Sequence, residues 1–214
     1  MSLFFGSIVG EVPMSSEASI PTALPSEPAA RGCQVLYLGI SGVLHPSESL
    51  YKLLNKRSRW NDGHSRFESV PALEDALRDW PDVRIVLTST LPWRDGLEAT
   101  LKELGPTIAS RVLGFTFEDL TTRAKRPVRN IRTGATRVVG YSVDDYWRMN
   151  KSQVVLNHVE WAKPAAWVAV DDEGILWPLE VRQNNLVLTD GCQGLRSPAA
   201  MDRLLTVMAG NFAR

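Results

Sequence analysis

The sequence predicts an α/β protein, a three-layer fold built on a mainly parallel sheet. Three observations predict it. Short apolar runs recur at residues 35–38, 83–87, 167–170 and 186–189, each the length of a strand buried on both faces. Stretches with apolar residues at helical spacing lie between them, so strand and helix patterns alternate along the chain. Several of these strands end in glycine, in Ser/Thr or in paired Asp, at the carboxyl ends where open α/β sheets bind ligands.

Taken in order, residues 1–31 are rich in Ser, Pro, Ala and Glu and show no sustained period, which predicts a mobile tail ahead of a domain spanning residues 32–214. Residues 35–38 form the first strand, and residues 39–42 break it. Residues 70–80 place Leu73, Ala76, Leu77 and Trp80 on one helical face. Residues 83–87 form the second strand. Residues 95–104 read as a helix with Leu97, Leu101 and Leu104 on one side, and Gly105-Pro106 signals its stop. Residues 111–117 are the third strand, and residues 118–146 read as basic and irregular. A helix over 150–161, strands over 167–170 and 186–189, and a helix over 198–208 complete the pattern. No internal repeat is visible.

Composition narrows the function classes. The 214 residues, 44% of them apolar and 22% charged, suffice for one ample core. Lys and Arg balance Asp and Glu at 24 each, so no global field draws the chain to nucleic acid or to an anionic membrane. No apolar run has the length of a membrane span, and the apolar start of the chain lacks the basic residues of a signal peptide. The expectation is a cytoplasmic protein with no membrane partner. Cys33 and Cys192 fall near opposite ends of the predicted sheet, which points to two reduced thiols.

Candidate site residues gather at the strand ends. The first strand runs into Gly39-Ile40-Ser41-Gly42-Val43-Leu44-His45-Pro46, the second into Thr88-Ser89-Thr90-Leu91-Pro92-Trp93-Arg94, and the fourth into Asp171-Asp172-Glu173. Hydroxyls beside amides at a strand-to-helix turn suit an anion, although such residues also cap helices. Paired carboxylates at a strand tip suit a hard cation, although a solvated acidic turn looks the same in sequence. Lys151 opens the helix before the fourth strand. Lys163, nearer to Asp171, falls after that helix and ranks second.

In order and spacing these segments resemble the haloacid-dehalogenase-like (HAD) phosphohydrolases. The likeness is to a small bacterial branch associated with RNA-repair proteins, whose first motif reads Asp-x-Asp-Gly-Val-Leu-His-Pro. It covers residues 34–208, including the closing strand Leu186-Val187-Leu188-Thr189-Asp190 and the following Gly194-Leu195. It implies a Rossmann-like HAD fold with a small or absent cap, residues 47–67 standing where the family places a mobile flap. It also implies phosphate contacts from Thr88 or Ser89 and from Lys151, a magnesium site at Asp171 and Asp172, and a cleft bordered by Gly42, His45, Trp93 and Arg94.

The first motif departs from the pattern at its two chemical positions. Gly39 stands where the family has its aspartyl nucleophile, and Ser41 where it has the acid/base Asp. Glycine offers no nucleophile, and a serine hydroxyl does not take a proton readily near neutrality. Loss of the carboxylate at position 39 also removes a primary magnesium ligand, so Mg2+ is expected to be held weakly or not at all. Asp144 and Asp145 are adjacent and do not reproduce the one-residue spacing of the lost pair. His45 could serve as a base only if it faces the cleft.

Three readings follow. The first is a catalytically degenerate HAD-like protein that binds a phosphorylated small molecule or a protein, in a binding or regulatory role. The second is an active Mg-dependent phosphatase with an atypical nucleophile. The third is a nucleic-acid accessory protein, suggested by Arg123, Lys125, Arg126, Arg129, Arg132 and Arg137, but without interleaved aromatics for base stacking. Of the seven tryptophans, most are expected in the core, with Trp60 and Trp93 near the site mouth.

Overall fold

The computed structural model describes residues 28–47, 63–116, 126–129, 136–139 and 149–213, with residues 126–129 and 136–139 described by backbone alone. The strands are β1 (Gln34–Leu38), β2 (Arg84–Leu87), β3 (Val112–Phe115), β4 (Arg126–Arg129), β5 (Thr136–Val139), β6 (Ala166–Asp171) and β7 (Leu186–Leu188). Five of them form one parallel sheet in the order β3-β2-β1-β6-β7. The order reverses at β1, with β2 and β3 to one side and β6 and β7 to the other. The crevice at the carboxyl ends of β1 and β6 is therefore the place where such a sheet takes a ligand.

The helices are α1 (Val70–Ala76), α2 (Leu91–Asp95), α3 (Leu97–Ala109), α4 (Lys151–Ala162), α5 (Leu179–Asn184) and α6 (Pro198–Asn211). Register divides the sheet into two faces. Leu36 pairs between Ile85 and Val168, and Leu38 between Leu87 and Val170. These side chains join α1, α3 and α6 in one core cluster through Leu73, Leu104, Ile108, Leu204 and Met208. The alternate residues Val35, Tyr37, Val86, Ala169 and Leu186 pack on the other side with Val155 and Ala162 of α4 and with Trp177. Three layers result, and burial on both faces is why the strands are continuous apolar runs. The Tyr37 hydroxyl and the His158 Nδ1, 2.8 Å apart, tie β1 to α4 inside the second cluster.

The elements differ from the sequence expectation where local signals mislead. The predicted helix over 70–80 is α1 followed by a 3-10 turn, Leu77–Asp79. The Arg111 guanidinium caps that turn, donating to the Trp80 carbonyl at 2.7 Å and the Leu77 carbonyl at 3.2 Å. The helix predicted to stop at Gly105-Pro106 does break there, at non-helical Gly105, but helical structure resumes and α3 runs on to Ala109. Proline is tolerated at the first turn of a helical segment, so it starts the second piece instead of ending the first. Residues 118–146 were expected to be irregular, yet β4 and β5 pair antiparallel within them, Arg126 opposite Val139 and Arg129 opposite Thr136. Helix α5 was not anticipated; it buries none of its residues and so carries no apolar period.

Most of the predicted tail lies outside the described residues, as do Trp60, Trp147, Asp144 and Asp145 and residues 48–62 of the expected flap. Within residues 28–31, Ala30 is buried in the cluster with Val35 and Tyr37, and the Gly32 amide donates to the Lys163 carbonyl. Cys33 and Cys192 are free thiols. Among the described residues no helix is long and apolar enough to cross a membrane.

The loop after β7 holds the turn that follows β1. The Leu195 amide donates to the Val43 carbonyl at 2.8 Å and the Ser47 amide to the Gly191 carbonyl at 2.7 Å. The Thr189 hydroxyl donates to the Gly42 carbonyl at 2.8 Å. Gly194 lies so close that a Cβ on it would come within 2.2 Å of the Val43 carbonyl oxygen, whereas one on Gly210 of α6 would meet nothing within 4 Å. Gly194→Ala is expected to destabilise the fold by about 2–4 kcal/mol because backbone must move. Gly210→Ala should be neutral or stabilising by up to about 1 kcal/mol. Urea unfolding of the two variants beside the natural chain measures the contrast.

Candidate functional site

The carboxyl ends of β1, β2 and β6 converge at the switch point, and each brings one of the singled-out segments. The Gly39 amide donates to the Val170 carbonyl at 2.9 Å, which extends the β1–β6 ladder by one step and sets Gly39 beside Asp171. An added Cβ on Gly39 would lie 3.1 Å from Asp171 Oδ2, 3.1 Å from the Val170 carbonyl oxygen and 2.9 Å from Val43 Cγ2. Position 39 thus faces Asp171 at the end of β6. A Val43 methyl leans over the volume that a side chain there would need.

From Gly39 the chain turns tightly. The Leu44 amide donates to the Ile40 carbonyl at 2.8 Å and the Gly42 amide to the His45 carbonyl at 2.7 Å, with Ser41 bridged to His45 and exposed. Gly42 has φ +78°, a backbone that L side chains avoid, and a Cβ on it would sit 2.0 Å from Asp172 Oδ2. Only glycine lets the Asp172 carboxylate rest against this turn.

Lys151, the first residue of α4, binds the parts together. Its Nζ donates to the Thr88 carbonyl at 3.1 Å and lies 3.5 Å from Asp171 Oδ2. The helix start is fixed by a reciprocal capping box, with the Asn150 side chain accepting from the Gln153 amide and the Gln153 side chain accepting from the Asn150 amide. Asp171 is buried, and its Oδ1 accepts the Glu173 amide at 3.0 Å. Lys163, ranked second from sequence, is the left-handed cap at the far end of α4, away from these acids.

The remaining candidates fall into place around this centre. Thr88 is buried at the end of β2, and its amide donates to the Leu38 carbonyl at 3.0 Å. The amide contact expected from Thr88 to a phosphate is therefore spent inside the sheet. Ser89 Oγ accepts the Leu91 amide at 3.1 Å, a local turn that launches α2. Arg94 is exposed and donates to both Asp95 carboxylate oxygens, at 2.7 and 3.1 Å. His45 is buried against Phe67, its ring edge-on at 5.3 Å, with Nδ1 accepting the Phe67 amide at 3.3 Å. That nitrogen serves the fold. The Trp93 side chain lies outside the described residues. Sequence reasoning did not foresee that Val43, Thr189 and Gly194 shape the site; a threonine closing an apolar strand was the available signal.

Electrostatics single out Asp172. Burial, and then the charge of Asp171, push its carboxyl up to about 6, with Lys151 opposing them. The donor set suits a magnesium ion poorly. Such an ion wants near-octahedral oxygen ligands, usually including carboxylates, and the carboxylate of position 39 is absent. Asp171 Oδ1 is bonded to the Glu173 amide, its Oδ2 faces the Lys151 ammonium, and the Asp172 carboxylate packs against Gly42. Among the described residues no three His, Cys, Asp or Glu side chains come together as a metal cluster.

The geometry gives the comparison with known families its meaning. Residues 35–200 match the family model described as the HAD domain in Swiss Army Knife RNA repair proteins. The chain belongs to this HAD family. Its parallel sheet and helix layers accord with the resemblance seen in the sequence. HAD proteins generally use Mg2+. No curated protein and no solved structure matches the chain.

The raised Asp172 group makes stability depend on pH. The folded chain holds this proton more tightly than the unfolded chain, whose carboxyl titrates near 3.8. The penalty is absent below about pH 4, grows as pH rises toward about 6, and is complete above that, on the order of 3 kcal/mol. Asp172→Asn is therefore expected to raise the melting temperature at pH 7.5, with the gain disappearing at pH 4. Thermal melts across that range measure it.

Proposed function

We propose that this chain is a catalytically degenerate HAD domain that binds a phosphorylated ligand at the β1–β6 crevice without hydrolysing it. One observation carries the reading: position 39 faces the fourth-strand acid with no side chain at all. Phosphoryl transfer through an enzyme intermediate needs an oxygen nucleophile at that point, in line with the scissile bond. His45 is buried with its Nδ1 occupied by the Phe67 amide, which leaves the exposed Ser41 hydroxyl without that imidazole nitrogen as a base. What speaks for a retained ligand is the upkeep of the rest: the glycine turn, the lysine at its helix start, and the acids at the β6 tip.

The test is hydrolysis of a generic phosphate monoester with Mg2+, natural chain against Gly39→Asp/Ser41→Asp. The natural chain is expected to show no turnover above buffer. The double variant should gain Mg-dependent turnover, more readily with Val43→Ala added to relieve the 2.9 Å contact at position 39. Turnover by the natural chain that chelation or Asp171→Asn abolishes would show it to be an active phosphatase and overturn the reading.

A second reading, that of a nucleic-acid accessory, is favoured by the charge of residues 123–137. This stretch has Arg123, Lys125, Arg126, Arg129, Arg132 and Arg137 and no acid. It includes the β4–β5 hairpin, in a segment that leaves the sheet after β3 and returns at α4, where Lys151 stands. The matched family is named for RNA repair. On this reading single-stranded RNA binds with an affinity that falls steeply between low and physiological salt, and neutralising Arg126, Arg129 and Arg137 flattens that dependence by about 0.7 units of slope for each phosphate no longer neutralised. Filter binding over a salt series measures both. Salt-independent or absent binding removes this reading.

A further inference from the structure

The lost acids and the metal these proteins generally use are linked by charge. In the arrangement that the resemblance describes, two carboxylates on the first turn, two at the fourth strand, one lysine and a divalent ion sum to a single negative charge. Here Asp171, Asp172 and Lys151 alone sum to the same value, because Gly39 and Ser41 contribute none. Removing two carboxylates is thus electrically equivalent to removing the need for a divalent cation. A site keeping all four acids without the ion would repel an anionic ligand; this one repels it no more than the metal-loaded arrangement does.

The geometry carries the same conclusion. A metal in this crevice would find only two carboxylates, with Asp171 Oδ1 accepting the Glu173 amide, Asp171 Oδ2 facing the Lys151 ammonium and the Asp172 carboxylate set against Gly42, and no third His, Cys, Asp or Glu joins them among the described residues. Lys151 instead stands as the fixed cation. Its ammonium donates to the Thr88 carbonyl and lies 3.5 Å from Asp171 Oδ2, and an ammonium carries three donors in all. Val43 Cγ2 leans over the volume that the nucleophile carboxylate would need.

We propose that this crevice binds its oxyanion, a phosphate or phosphate monoester group, without a divalent metal, with Lys151 as the counter-charge. The inference rests on the reading that the site is a non-catalytic phosphate site, and it specifies how that site is neutralised.

Two titrations on the full chain test it. Calorimetry with inorganic phosphate is run in chelator and in Mg2+, and Mn2+ is titrated alone with its free signal followed by electron paramagnetic resonance. The expected result is a phosphate affinity that agrees within about threefold between the two conditions, and no stoichiometric Mn2+ binding. Lys151→Met should weaken phosphate by about tenfold or more, with Lys151→Arg restoring part of it. Gly39→Asp/Ser41→Asp should gain Mn2+, the positive control. Phosphate binding seen only with Mg2+, or Mn2+ held by the natural chain and lost in Asp171→Asn, overturns the proposal while the phosphate-site reading stands. Phosphate binding in neither condition overturns both. The chelator comparison needs no variant, so a misfolded Lys151→Met leaves the test intact.

Discussion

The parallel pairing of β1 with β6 is the constraint on which the rest of the molecule depends. Its register sets Leu38 beside Val170, and one further hydrogen bond, from the Gly39 amide to the Val170 carbonyl, carries the alignment past the end of the strand. Every element of the site is placed from that step. Gly39 meets Asp171 because the ladder continues, Asp172 reaches the next turn because it follows Asp171, and Lys151 reaches both β2 and β6 because α4 packs across the face between them. A sheet buried on both sides cannot slip by a residue without turning its apolar faces outward, so the site inherits the stiffness of the core.

Around that step the protein is built on close approach. Four glycines sit where a Cβ would strike a named neighbour: Gly39 against Val43 and Asp171, Gly42 against Asp172, Gly194 against the Val43 carbonyl and, outside the turn, Gly174 against the Leu188 side chain. Gly42 and Gly194 keep the turn closed and buttressed by the loop after β7. Gly39 is different in kind, since its backbone is not left-handed and would accept a side chain. Its smallness serves no turn. Its effect is to leave the point where three strand ends meet without a side chain, so that the charges facing one another there are those of Lys151, Asp171 and Asp172.

Much of this was legible in the sequence, for a physical reason. Strands buried on both faces must be apolar throughout, so β1, β2, β6 and β7 announced themselves, and ligand residues at strand ends follow from the architecture. Elements that bury little gave no signal: α5 has no buried residue, and β4 reads Arg-Pro-Val-Arg. Gly105-Pro106 misled because the pair both closes one helical piece and opens the next. In the site, residue order pointed to Gly39, Thr88, Lys151 and Asp171 together. It could not reveal that the Thr88 amide is spent on Leu38, that His45 serves Phe67, or that Asp172 lies on Gly42, because those contacts depend on side-chain direction between residues far apart in the chain.

Positions 39 and 41 differ in how readily they would take an acidic side chain. Ser41 is exposed on a turn, where most side chains are tolerated, and its exchange disturbs almost nothing around it. Gly39 is enclosed by Val43, Val170 and Asp171, so a carboxylate returning there has to displace a methyl and sit beside another negative charge. Packing thus separates the two positions: an acid at position 41 would meet water, whereas one at position 39 would need Val43 to give way and a cation to offset Asp171.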